Sequence, residues 1–214
     1  MRKAGRVVAD ALRAMRRAVR PGVTTAELDA VAANVFSRAG ARSGPQLDYD
    51  FPGVTCISVN DEAVHGIPGA RRLREGDLVK LDVTAELDGY YADACRTVAV
   101  GRPRPEAARL VGTAERALRR GLAVARAGAP LTGHGIGRRI HEPPDVPNLF
   151  VPSLDQPLTE GLVITVEPII AAGTGEIVEA DDGWTVRTAD GSLSAHAEHT
   201  VVITAGEPLV LTGG

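Results

Sequence analysis

Lys80-Leu-Asp-Val-Thr-Ala-Glu-Leu-Asp-Gly-Tyr-Tyr-Ala-Asp-Ala-Cys-Arg-Thr-Val-Ala-Val100 reads as one β-hairpin. Apolar and polar residues alternate on both sides of Asp88-Gly89, a dipeptide whose members both tolerate the positive φ of a two-residue turn. With that turn, Leu87 faces Tyr90, Thr84 faces Asp93 and Asp82 faces Cys95. Side chains alternate faces with a period of two, so Asp82, Thr84, Asp93 and Cys95 share one face and the two carboxylates are diagonal neighbours. Two ionised carboxylates that close repel, and folding gains nothing from them. A divalent ion would reverse the sign. The plainer alternative is a solvated hairpin face that happens to carry acids.

Working outward, residues 2–20 space Val8, Leu12, Met15 and Val19 as an amphipathic helix that Pro21 ends. Thr24-Thr-Ala-Glu27 is a capping box for a second helix closing near Gly40. A loop with Pro45 and Pro52 follows, then a strand over 54–59 and a loop, Asn60-Asp-Glu-Ala-Val-His-Gly-Ile-Pro-Gly69. Beyond the hairpin, Pro105 starts a third helix that runs to about Ala127. Gly133-His-Gly-Ile-Gly-Arg-Arg-Ile-His-Glu-Pro-Pro144 looks like a shaped loop where backbone approaches a ligand. Residues 161–170 read as a buried strand interrupted by Glu167, a costly carboxylate unless it is paired or metal-bound. The last strands fall at 184–188 and 197–203, with Asp190-Gly191 turning between them.

The two ends of the chain echo each other. His65-Gly-Ile recurs as His134-Gly-Ile, and Glu75-Gly, seven residues before Asp82, recurs as Glu160-Gly, seven before Glu167. Asp93, followed by Thr97-Val, has a looser echo in Glu198, followed by Thr200-Val. Each half contributes a histidine and two acids in the same order, which suggests a duplicated unit whose acids converge on the seam. Four carboxylates with imidazole and no thiolate favour Mn, Fe(II) or Co(II) over a sulfur-bound structural zinc. Four acids suit two ions bridged by carboxylates, an arrangement that holds and deprotonates water for hydrolysis.

Composition agrees with one domain over residues 1–214, in halves of about 1–103 and 104–214. The 214 residues are 44% hydrophobic with a net charge of −3, which gives no electrostatic footprint for nucleic acid or an anionic membrane. No stretch nears the roughly 18 apolar residues of a membrane span. Cys56 and Cys95 are too few for a disulfide framework, and the cytoplasm is the default compartment.

Over most of its length the chain resembles the type I methionine aminopeptidases, which share the pita-bread fold with the Xaa-Pro aminopeptidases. The resemblance rests on Asn60-Asp-Glu-Ala-Val-His-Gly-Ile-Pro, on Asp82 with Asp93 eleven residues on, and on Gly133-His-Gly-Ile-Gly with His141-Glu-x-Pro. Thr165-Val-Glu-Pro and Ser194-Ala-His-Ala-Glu-His-Thr-Val complete it. It implies an α+β fold of two pseudo-symmetric halves, with a curved antiparallel sheet covered by helices. It implies removal of the initiator methionine from nascent chains with a small second residue, aided by two divalent ions (Co, Mn or Fe(II), with Zn as an alternative). Asp82 would chelate the second ion, Asp93 and Glu198 would bridge the pair, and His134 and Glu167 would complete the first. Glu167 would also shuttle protons. His65 and His141 would contact the scissile amide, Thr84 would orient Asp82, and Cys56 and Trp184 would line the substrate pocket. Partners implied are the N-terminal methionine of nascent peptides and the ribosome, with no membrane.

Three departures from the family pattern stand out. Pocket positions that in the family hold a cysteine, aromatics and a methionine hold Pro45, Asp48, Ile140 and Ile169 here. His196 stands where the family often has glutamine, and reads as an exposed strand residue. The second half is short: 63 residues separate Arg2 from His65, but 28 separate Glu106 from His134. A helix and strand the family normally places there are missing. A monomer is the family norm, but the gap leads us to expect a bare apolar patch, covered by a second subunit or left open, and a mobile His134 loop. The alternatives are an inactive or weakly active pita-bread paralogue acting as a binding module, and an aminopeptidase of different N-terminal specificity.

Overall fold

The computed structural model describes residues 1–128, 133–146 and 157–213. The first half runs α1 (Arg2–Ala18), α2 (Thr25–Ala39), β1 (Arg42–Ser43), α3 (Gly44–Tyr49), β2 (Cys56–Val59), β3 (Glu62–Val64), β4 (Leu78–Leu87) and β5 (Tyr90–Ala99). The second runs α4 (Pro105–Val124), β6 (Gly133–Gly135), β7 (Glu142–Val146), β8 (Val163–Val166), β9 (Ile169–Ala171), β10 (Ile177–Glu179), β11 (Val186–Thr188), β12 (Ser194–His196), β13 (His199–Val202) and β14 (Leu209–Val210). This α+β architecture is the pita-bread fold that the resemblance implied.

The hairpin forms in the register its turn dictates: Leu87 faces Tyr90, Thr84 faces Asp93 and Asp82 faces Cys95. Its other face, with Leu81, Val83, Ala92 and Ala94, packs under α1 and α2, which bury Val8, Leu12, Met15, Leu28 and Phe36. Each such large side chain contributes roughly 1.5–3 kcal/mol on burial. The helices therefore claim one face of the hairpin and leave the acidic face to the site. The capping box forms as expected: the Thr24 hydroxyl accepts from the Glu27 N–H, the Glu27 carboxylate accepts from the Thr24 N–H, and Gly40 closes α2 at φ 67°.

In the second half, α4 packs Leu110, Ala114 and Leu118 against Ile164, Val166, Ala195, Val201 and Ile203. The strand expected over 161–170 is two strands. β8 joins the sheet ordered β14-β13-β8-β6-β7, whereas β9 pairs with β12. The break falls at Glu167-Pro168, because proline lacks the N–H a ladder needs. The facing strand breaks in the same place, at Ala197-Glu198, between β12 and β13.

The loop expected around Pro45 contains a short helix, α3. Ser43 caps it and Pro45 sits in its first turn, where a missing N–H costs nothing. His134 lies on a strand that pairs with β7 and β8, and its N–H donates to Thr165 Oγ1 at 3.1 Å. The neighbouring Gly135 allows this tight crossing, since a Cβ there would lie 2.4 Å from the Glu142 and Pro143 carbonyl oxygens. The expectation that the His134 segment lacks a supporting strand is thus corrected. Positions 129–132, where the missing helix and strand would enter, lie outside the described residues. Among the described residues, the exposed large apolar side chains are Leu47, Tyr49, Tyr90, Val124, Ile177 and Val178. None lies on β8, β13 or β14, so the bare sheet face expected there is not seen among the described residues. Among the described residues, no helix is long and apolar enough to cross a membrane.

Candidate metal centre and active site

The halves meet along β5 and the broken strand β12–β13. Arg96 lies opposite Ala197, and the Glu198 N–H donates to the Cys95 carbonyl at 3.0 Å. Two threonines complete the seam. Thr200 Oγ1 accepts from the Asp93 N–H at 2.8 Å and donates to the Asp93 carbonyl at 2.7 Å. Thr97 Oγ1 does the same for His196, both at 2.8 Å. Lys80, buried in the first half, donates to the carbonyls of Asn60 and Ser194 and to Ser194 Oγ.

Along this seam stand the acids that the sequence singles out. Asp82, Asp93, Glu167 and Glu198 line one cavity of about 310 Å³ together with His65, His134 and His141. Ligand atoms of Asp93, His134 and Glu198 lie within 4.8 Å of one another. His134 Nε2 is 3.4 Å from Glu167 Oε1. Thr84 Oγ1 donates to Asp93 Oδ2 at 2.8 Å, so it orients Asp93 and not Asp82 as expected. Thr165, which the sequence reading passed over, takes an equivalent part in the second half. Its hydroxyl accepts from the His134 N–H and donates to Glu167 Oε1 at 3.0 Å.

The electrostatics are those of an acid cluster in need of a cation. Burial pushes the Asp82 carboxyl well above its ordinary pKa, and Asp93 and Glu167 push it further. Glu198 is driven up in the same way by burial, then by Asp93, Glu167 and Asp82. Burial also raises Asp93 and Glu167, against the pull of His134. Asp93 Oδ1 is buried with no hydrogen-bond partner. His134 Nδ1 lies 3.0 Å from the Gly135 carbonyl. A carbonyl only accepts, so that nitrogen carries the proton. Nε2, which faces Glu167, is then the nitrogen left for a metal ion. The donor set of oxygens and one imidazole fits divalent ions of the Mn, Fe or Co kind. Burial also raises the Cys56 and Cys95 thiols well above their ordinary pKa.

Around the acids the wall is apolar. Pro45, Phe51, Cys56, Val64, Ile140 and Trp184 line it, with Phe51 set edge-on to Trp184 at 5.2 Å. Of the four replaced pocket positions, Pro45 and Ile140 face the cavity and Asp48 and Ile169 do not. Asp48 instead accepts hydrogen bonds from the Tyr91 hydroxyl at 2.8 Å and the Ile140 N–H at 3.0 Å. Its neighbour Tyr49 reaches His141 Nδ1 at 2.6 Å. Phe51 and Tyr49 were legible only as residues near prolines, in a segment read as a loop. His65 adopts φ 58°, a left-handed conformation that non-glycine residues rarely hold, and burial lowers its pKa.

His196 is the main correction. Expected on the surface, it is 2% exposed, lines the cavity and has both ring nitrogens unpartnered. Its Nε2 lies 3.8 Å from Glu167 Oε2 and 3.7 Å from Glu198 Oε2. Burial lowers its pKa to about 3, with Lys80 adding to the effect, so the ring is neutral at physiological pH.

Known proteins resemble this chain over nearly its whole length. The chain is 42% identical to methionine aminopeptidase 2 of Bacillus subtilis (strain 168), covering 99% of this chain and 95% of that one. It is 39% identical to the methionine aminopeptidase of Clostridium perfringens, covering 99% and 94%. The first alignment spans 236 positions against the 214 residues here, so at least 22 positions of that relative have no counterpart. A crystal structure of methionine aminopeptidase from Thermotoga maritima superposes with a TM-score of 0.96 at 32% identity, over 100% of this chain and 95% of that one. The model of metallopeptidase family M24 matches residues 1–132 and 129–205, its two segments meeting where the second half is short. The chain belongs to metallopeptidase family M24.

Proposed function

We propose that the protein is a dinuclear metal-dependent aminopeptidase that removes the initiator methionine from chains with a small second residue. The observation that carries this is the convergence, at the seam of two duplicated halves, of Asp82, Asp93, His134, Glu167 and Glu198 on the floor of an apolar cavity. The relatives' names, methionine aminopeptidase over nearly the whole chain, support the same reading.

In this reading Asp82, Asp93 and Glu198 would hold one ion, and His134 and Glu167, with Asp93 and Glu198, would hold the other. When bound, the ions would lower the pKa of a water and polarise the scissile carbonyl. Glu167, with a raised pKa and a hydrogen bond from Thr165, is placed to take and return a proton. His65 and His141 line the same cavity and would donate to the scissile amide's oxygen as charge develops there. The Tyr49 hydroxyl braces His141 from behind. Phe51, Cys56 and Trp184 form an apolar slot for a thioether side chain, which adapts well to irregular walls.

The test is hydrolysis of Met-Ala-Ser by protein reconstituted with Co(II), Mn(II) or Fe(II), against Leu-Ala-Ser and metal-free controls. Release of methionine only with metal is expected. Preferential release of leucine would move the assignment to another N-terminal specificity. Stoichiometric metal binding with no peptide hydrolysed would turn it into a binding module.

A further inference from the structure

The seam threonines define a local twofold. Asp93 stands four residues before Thr97 and His196 four before Thr200, and each threonine clasps the backbone of the other strand's member. The sequence echo aligned Asp93 with Glu198, but the hydrogen bonds make His196 the counterpart of Asp93. The duplicated position thus presents a carboxylate from one half and an imidazole from the other, both aimed into one cavity. A neutral imidazole buried with neither nitrogen paired is costly, and folding supplies no reason to keep it. Its Nε2 faces two glutamates at 3.7–3.8 Å, just beyond hydrogen-bond range.

We propose that His196 is a positioning residue for the metal centre: its Nε2–H is the donor shared by Glu167 Oε2 and Glu198 Oε2, and it turns the other oxygen of each toward the ion. The inference rests on the metal assignment above. An ion drawing the two carboxylates together brings them within reach of the N–H, and an orphan in the metal-free protein becomes paired in the loaded one. The cost is then borne in the metal-free state and recovered on binding.

That sign is measurable without turnover. Mn(II) is titrated into wild type, His196→Leu and His196→Gln, and the metal-free proteins are melted in parallel. His196→Leu should bind Mn(II) roughly 10–100-fold more weakly, the usual effect of removing a group that orients a ligand. Its metal-free form should melt no lower than metal-free wild type, because an unpaired polar group has been replaced by an apolar one of similar size. His196→Gln, which keeps an N–H donor, should bind close to wild type. A leucine variant that binds as tightly as wild type overturns the proposal, as does one that melts lower when metal-free. A glutamine variant as weak as the leucine variant also overturns it, since the ring's lone pair and not its N–H would then be at work. Wild type that takes up no Mn(II) overturns the metal assignment as well.

Discussion

In the first half, Asp82 and Asp93 sit in the middle of two uninterrupted ten-residue strands, on the face that the helices leave free. In the second half, Glu167 and Glu198 sit where facing strands break and change sheets. A continuous ladder delivers acids by alternation alone, and every neighbouring backbone group stays paired. A broken one must find other partners for its loose ends, and here the first half supplies two, Cys95 for Glu198 and Thr97 for His196, while the Ala197 N–H donates to the Pro168 carbonyl of its own half. The same holds at the His141 turn. Asp48 and Tyr49, from α3, hold Ile140 and His141, and Arg138 donates to Gly89 O and Tyr90 Oη at the hairpin tip. The second half thus draws part of its support from the first.

The sharpest way to break this comparison is to remove a ligand from the broken strand. Glu198→Ala should lose tight metal binding and turnover together, because the carboxylate stands among ligands of both halves. Metal content measured after dialysis settles it, and a variant that retains its ions would place Glu198 outside the centre. His65→Ala should behave differently. It should keep its metal and lose roughly 10²–10³ in kcat, as expected for one donor to a developing oxyanion. A variant emptied of metal would show His65 to be a ligand.

Acidification comes next in size. In the metal-free protein the acids hold protons above the ordinary carboxylate range, so ions compete with protons and affinity should fall as pH falls. The acids' own contribution to the stability of the metal-free protein should move the other way. A carboxyl whose folded pKa is raised contributes stability that is present at low pH and is lost as pH rises through the raised value. The gain in Tm on saturating with metal should therefore be larger at about pH 8 than at about pH 5.5. Parallel pH trends for the two forms would show that the acids are not repelling one another in the folded state.

Much of this was legible in the sequence, for identifiable reasons. The hairpin register follows from one turn, and every facing pair with it. The capping box and Gly40 set the limits of α2 because each satisfies a named orphan group. His196 was misread because alternation assumes a continuous strand, and the break at Ala197-Glu198 resets its phase. Only the doubled Thr-Val echo hinted at the true counterpart. α3 was read as a loop because six residues are too few to show a helical period, although Pro45 two places after Ser43 is a helix-start signal. Thr84 faces Asp93 and shares its side of the strand with Asp82 two residues back, and alternation alone does not choose between them.

The smallest expected effect sharpens the borrowed-support reading. Asp48→Ala leaves the Ile140 N–H and Tyr91 O–H without their acceptor, at a cost of about 1–3 kcal/mol. For a chain of this size that is about 2–4 °C in Tm per kcal/mol. Metal binding should be unchanged, with kcat lowered through His141. An unchanged Tm would mean that the His141 turn is held by its own half.

The most direct test is anomalous diffraction from a crystal grown with Mn(II) or Co(II), which locates the ions without any assumption about turnover. Two peaks are expected between the halves, with Asp93 and Glu198 touching both, Asp82 on one side, and His134 with Glu167 on the other. Ions bound within one half alone, or any of these five side chains turned to bulk solvent while the ions are present, would contradict a centre assembled across the seam.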